Sequence, residues 1–213
     1  MQQGIKANAL TPCQWKTVYN YVLNSNNPKY SWADKCTEVG STLYIASGTN
    51  PVWDDLKLLN RNVEIETGAT LTITCEVRMA KDLRFIVQRG AKLIVDGGKI
   101  TNLCPDTRWG GINVHGNASK VQSSPFGALA TDDAGVVIIK NGSLIEHAIT
   151  AISTTAPGMS YPDQVARWGG LIYAENSEFI DNRRVAEFMK YDFPNKSSSS
   201  IALWTAREMA MPA

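Results

Sequence analysis

No uncharged apolar run approaches the roughly 18 residues a membrane-spanning helix needs. The opening stretch, MQQGIKANAL, lacks the apolar segment of a secretion signal. Net charge is nearly absent as well. With 21 Lys+Arg against 20 Asp+Glu, a formal charge of +1 removes the simple electrostatic argument for nucleic acid or an anionic membrane surface as partner. There are two histidines and no Cys-x-x-Cys pair among Cys13, Cys36, Cys75 and Cys104, so a structural zinc site is not expected. No metal or cofactor is signalled elsewhere, and the cysteines stay open between buried thiols and one or two disulfides. What is present is 213 residues, 44% of them hydrophobic, enough for one sizeable core in one folded unit.

Repetition is the informative feature. VEIETGATLTI from Val63, FIVQRGAKLIV from Phe85 and VIIKNGSLIEH from Val137 align on Gly68, Gly90 and Gly142. Each has apolar residues five and three positions before the glycine and another three after it. Period-two alternation interrupted by glycine reads as strand, corner, strand. Gly68 and Gly90 stand 22 positions apart, and Gly142 follows 52 later, a gap that holds the polar stretch NASKVQSSPFGALATDDAG, read as an inserted loop. A second set of similar phrases joins GKITN at Gly98, GSLIE at Gly142 and SEFID at Ser177. A rung of 22 residues cannot bury its own apolar face, so stacked neighbours must supply the core. A sandwich is disfavoured, because Asp96-Gly97 and Asn141-Gly142 fall at rung corners and not between paired strands. The expected fold is all-β: a right-handed, single-stranded parallel β-helix, or solenoid.

Ahead of the repeats, TPCQWKTVYNYVLNS reads as a helix near residues 12–24. Thr11 and Gln14 form a capping box, Pro12 occupies the first helical position, and Trp15, Val18, Tyr19, Val22 and Leu23 make an apolar stripe. A capping α-helix over the open end of the stack is expected. Residues 1–50 are thus a capping region, 51–191 the coils, and 192–213 an atypical tail.

GATLTITCEVRMAKDLRFIVQRGAKLIVDGGKITNLC, then RWGGINVHGN and GGLIYAENSEFIDNRRVAEFMKY, resemble the right-handed parallel β-helix domains of secreted and cell-surface proteins of Gram-negative bacteria, cargo of the type nine secretion kind. The resemblance covers about residues 60–191 and implies a secreted or cell-surface location. Family members are usually longer, so the chain is expected to be a truncated member. The fold that the resemblance implies is the pectin lyase-like one.

The tetrapeptide RWGG occurs at Arg108–Gly111 and again at Arg167–Gly170. Trp109 and Trp168 are candidates for stacking on sugar rings. The competing and favoured reading makes each a packing residue at a loop-to-strand junction. Arg108, Arg167, Arg183 and Arg184 are candidates for a basic patch that grips uronic or sulfated sugars through the guanidinium fork. No catalytic residue is assigned. Asp132-Asp133 lies in the expected loop, and His115 in VHGN only superficially resembles the Gly-His-Gly of polygalacturonase-like hydrolases, whose Arg-x-Lys is missing. His147, Asn102 and Asn182 are read as structural corner residues. Cys75 and Cys104 fall on neighbouring expected coils and are the candidate pair for a bridge. The expected function is therefore a non-catalytic surface module for adhesion or glycan binding. A polysaccharide lyase or glycoside hydrolase acting on an acidic polysaccharide and a structural spacer are the alternatives.

Overall fold

The computed structural model describes residues 11–23, 36, 40–122, 133–194 and 197–205. Short strands recur in threes. β1 (Leu43–Ile45), β2 (Val52–Trp53) and β3 (Lys57–Leu59) are followed by β4 (Val63–Ile65), β5 (Thr70–Ile73) and β6 (Glu76–Met79). Next come β7 (Arg84–Val87), β8 (Lys92–Asp96) and β9 (Lys99–Asn102), then β10 (Trp109–Val114), β11 (Val136–Lys140) and β12 (Ser143–Glu146). β13 (Ala148–Ser153), the short helix α2 (Asp163–Ala166), β14 (Leu171–Ile180), β15 (Ala186–Glu187) and β16 (Ser198–Thr205) complete the order.

Strands β1-β4-β7-β10-β13-β15 form a six-stranded sheet, and β2-β5-β8-β11-β14-β12-β9-β6-β3 form a ten-stranded sheet in which β16 also pairs with β14. Every pairing is parallel. β14 joins the halves of the larger sheet, its first four residues pairing with β11 and its last four with β12. The fold is thus all-β, with two long parallel sheets and two short helices among the described residues. Ser198–Thr205, from the stretch set apart as a tail, lies along β14 as a strand, and β1 lies within the stretch read as a capping region.

Alternation places one apolar set between the sheets. Val63, Phe85, Ile112 and Ile152 are register partners across the six-stranded sheet, as are Leu71, Leu93, Val137 and Ile172 in one half of the other, and Val77 and Ile100 in its second half, where Ile145 pairs with Phe179. All are buried and belong to one contiguous core. Burying each such side chain stabilises by about 1.5–3 kcal/mol, and the parallel register stacks like upon like.

The register corrects the repeat alignment. Gly68 and Gly90 occupy the corner between the six-stranded sheet and the strands β5 and β8, but Gly142 lies at the next corner, between β11 and β12. Its counterpart is Gly97, whose N–H donates to the Lys140 carbonyl. Val136 pairs with Lys92, so β11 stands 44 positions after β8. The misalignment arose because both corners follow an apolar-polar-apolar strand with a glycine. The second set of phrases did join neighbours, since β9, β12 and the end of β14 are adjacent.

Helix α1 (Pro12–Leu23) opens on a reciprocal capping box: the Thr11 N–H donates to Gln14 Oε1 (2.9 Å) and the Gln14 N–H to Thr11 Oγ1 (3.2 Å). Its expected covering stripe is not realised at Trp15 and Val18, which are 58% and 43% exposed. The side chains of Tyr19, Val22 and Leu23 lie outside the described residues. What fastens the helix is the Cys13–Cys75 disulfide, the Lys16–Asp54 ion pair and the Leu56 N–H donating to Thr17 Oγ1 at 3.2 Å. The second disulfide joins Cys36 to Cys104. The expected Cys75–Cys104 bridge is therefore incorrect. Each of these buried cysteines instead holds a cysteine from the N-terminal region, which the repeat spacing alone could not reveal.

Candidate functional site

The outer face of the six-stranded sheet carries a cleft of about 240 Å³. Its floor comes from alternate residues of three adjacent strands: Glu64 on β4, Arg84, Ile86 and Gln88 on and just after β7, and Asn113 and His115 on and just after β10. Pro157, Met159 and Arg167, from the segment between β13 and β14, form its other wall. A second hollow of about 480 Å³ shares Met159 and Arg167 and adds Arg89 and Asp163.

Backbone hydrogen bonds bring Arg167 here. The Gly116 N–H donates to the Arg167 carbonyl (2.6 Å), and Gln122 Nε2 donates to the carbonyls of Gly169 (2.9 Å) and Gly170 (3.2 Å). A Cβ at Gly170 would stand 2.3 Å from the Val114 carbonyl oxygen, so glycine is needed for this approach. The second RWGG is thereby pinned beside the end of β10.

Gln88 is the hub of the cleft. Its Nε2 donates to Glu64 Oε1 (2.6 Å), and its Oε1 accepts from Arg167 Nη1 (3.1 Å) and lies 3.2 Å from His115 Nδ1. Because that oxygen only accepts, neutral His115 carries its proton on Nδ1 and keeps Nε2 as an acceptor. Burial first, then the Arg167 and Arg89 charges, lowers the His115 pKa to about 4. Burial also lowers the Arg84 pKa, with the Asp82 carboxylate acting the other way.

Two features remain uncompensated. Among the described residues, no carboxylate lies within ion-pair distance of Arg84, Arg89 or Arg167. Asn113 is 4% exposed, and although its Nδ2 donates to Thr155 Oγ1 (3.3 Å), its Oδ1 has no hydrogen-bond partner. A buried carbonyl without a donor costs about 1–3 kcal/mol. The cleft thus offers guanidinium donors, one unmet acceptor and the apolar flank of Ile86 and Met159, a combination suited to an anionic molecule with hydroxyl groups.

No protein-family model, curated protein or solved structure matches the chain.

The sequence-derived candidates divide. Trp109 is fully buried, its ring edge-on to Phe85 (6.4 Å between centroids), and its Nε1 donates to the Glu146 carbonyl at 2.8 Å. It has no free face for a sugar, so it is a core residue, as the favoured packing reading has it, and its candidacy for stacking on a sugar is corrected. Trp168 is half-buried, and its Nε1 is buried without a partner. Arg108 donates to the carbonyls of Asp181 and Ala148, tying the start of β10 to later segments. Arg183 and Arg184 are exposed; their backbone N–H groups bind the carbonyls of Ala148 and Ile149, and Arg184 pairs with Glu187 at 3.2 Å.

These three arginines lie where β10 and β13 begin, whereas Arg167 lies beyond the end of β10. A strand of that length separates them by about 17 Å, so the four do not form the single patch expected. Asn102 and Asn182 serve corners: Asn102 Nδ2 donates to the carbonyls of Cys104 and Thr107, and Asn182 accepts from the Ala148 N–H and donates to the Ile145 carbonyl. Asp132 lies outside the described residues.

Sequence reasoning missed Glu64, Arg84, Gln88 and Asn113. Their signal was present: each is a polar residue at an outward position of an alternating strand, and the registers Glu64↔Ile86 and Ile86↔Asn113 set them side by side. Among the described residues, no group of three or more His, Cys, Asp or Glu side chains is placed to hold a metal ion.

Proposed function

We propose that the chain is a right-handed parallel β-helix module of an exported or cell-surface protein, of the type nine cargo kind, and that its cleft binds an acidic glycan without transforming it. The winding is supported by the order in which the chain visits its sheets: one strand of the six-stranded sheet, one strand in each half of the larger sheet, then back. Right-handedness is the rule for parallel crossovers. Location outside the cytoplasm is supported by two disulfides, which persist in oxidising compartments. No helix among the described residues is long and apolar enough to cross a membrane.

The observation that carries the binding reading is the conjunction, in one cleft, of Arg84 and Arg167, unpaired with any described carboxylate, and the partnerless Asn113 Oδ1, with the Arg89 side chain in the adjoining hollow. Guanidinium groups recognise carboxylate or sulfate by paired hydrogen bonds, and a ligand hydroxyl satisfies the amide carbonyl. A polysaccharide lyase or hydrolase is the second reading, favoured by the neutral imidazole of His115 beside these cations. A base held near pKa 4 is poorly matched to proton abstraction at neutral pH. A glycan array probed with the intact chain, followed by a depolymerisation assay on every acidic ligand it retains, tests both. Retention of acidic glycans without new chain ends is expected; product release would overturn the non-catalytic assignment.

A further inference from the structure

The outer row of the six-stranded sheet extends beyond the cleft. Tyr44 pairs in register with Glu64, Glu64 with Ile86, and Ile86 with Asn113, so the four side chains lie on one face in a line across β1, β4, β7 and β10. Adjacent strands are about 4.8 Å apart, which places Tyr44 about 14 Å from Asn113. Tyr44 is 56% exposed, and nothing in the cleft's hydrogen-bond network accounts for an aromatic ring there.

The charge along this row is uneven. Arg167 stands at the Asn113 end, held beside the end of β10, while the Glu64 carboxylate stands between it and Tyr44. Its Oε1 already accepts from Gln88, and it is not neutralised by any described cation within ion-pair distance. A ligand with an acidic group on every ring would set one of them against Glu64, where the half-buried position weakens solvent screening. A neutral ring meets no such repulsion: its hydroxyls donate to the carboxylate, and the next ring stacks on Tyr44.

We infer that the cleft selects an oligosaccharide with its acidic group on a single ring, seated against Arg167 and Asn113, with neutral rings continuing over Glu64 to Tyr44. This rests on the reading of the cleft as an acidic-glycan site and adds polarity, length and charge pattern to it. Recognition is then a sum over two separated contacts: a guanidinium clamp that demands an anion, and an aromatic platform that a lone acidic sugar is too short to reach.

The test is a set of calorimetric titrations of the intact chain. The probes are the monosaccharide glucuronate, a hexagalacturonate, and the longest singly acidic and polyacidic oligosaccharides retained on the array. The singly acidic oligosaccharide should bind more tightly than its polyacidic counterpart and than glucuronate. Y44A, a change at an exposed site, should weaken it about fivefold and leave glucuronate unaffected. E64Q should raise affinity for hexagalacturonate about fivefold and weaken that for the singly acidic ligand about twofold, since the hydroxyls of its neutral ring lose a charged acceptor. Equal or tighter binding of polyacidic probes, or a Y44A variant that binds the singly acidic ligand like wild type, overturns this inference and leaves the cleft reading standing. If no acidic probe binds at all, both fall together.

Discussion

At the scale of single residues, the proposed site rests most on Asn113 and His115. An orphaned acceptor is a stability defect, and the proposed binding role would account for it, a ligand hydroxyl supplying the donor. N113L should therefore stabilise the free protein by about 1 kcal/mol in urea unfolding while weakening acidic-glycan binding about fivefold. Thr155 Oγ1 keeps its bond to Ser153 in that variant. His115 makes a pH prediction. Its folded pKa of about 4 lies below its ordinary value of 6.5, so the fold favours the neutral ring. Between these values the unfolded chain binds the proton and the native one does not. The contribution is complete above pH 6.5 and is lost as pH falls toward 4, on the order of 3 kcal/mol in all. Thermal melts from pH 7.5 to 4 should show a steeper loss for wild type than for H115Q; parallel profiles would sink the assignment.

At the scale of the strand, RWGG turns out to be two devices. In the first copy, Gly111 has φ +103°, and a Cβ there would stand 1.6 Å from the Thr150 carbonyl oxygen. Ile112 follows a register shift against β13, so this glycine lets β10 and β13 come together over buried Trp109. G111A should cost more than about 3 kcal/mol. G48A, where φ is +74° but nothing lies within 4 Å, should cost about 1 kcal/mol. In the second copy the glycines press Arg167 against the cleft. Strand alternation was legible in the sequence because period two is local. Which corner glycine matched which was not, since successive corners share one pattern and only the long-range register separates them. The same limit hid the cleft: Glu64, Gln88, Asn113 and Arg167 become neighbours only after the strands stack.

Across the whole molecule, two parallel sheets enclose one apolar core, and two disulfides bind the N-terminal region to it. The bridges close loops of 62 and 68 residues, and the chain-entropy account assigns each about 4 kcal/mol. Reduction should lower the unfolding midpoint sharply; a midpoint unmoved by reductant would mean the bridges do not constrain the unfolded chain. Parallel all-β architecture followed from the repeats, whereas the cysteine partners did not, because Cys13 and Cys36 lie outside the repeating part. Recognition of an acidic sugar by the cleft around Arg167 and Asn113 is the proposal on which the rest depends. Its most direct test is calorimetric titration of the intact chain with the tightest acidic oligosaccharide from the array, comparing wild type with R167A and with the exposed-site variant R89A. The account predicts saturable binding that R167A weakens about tenfold or more and R89A less, with melting behaviour retained in both. Identical affinities in all three proteins would contradict it.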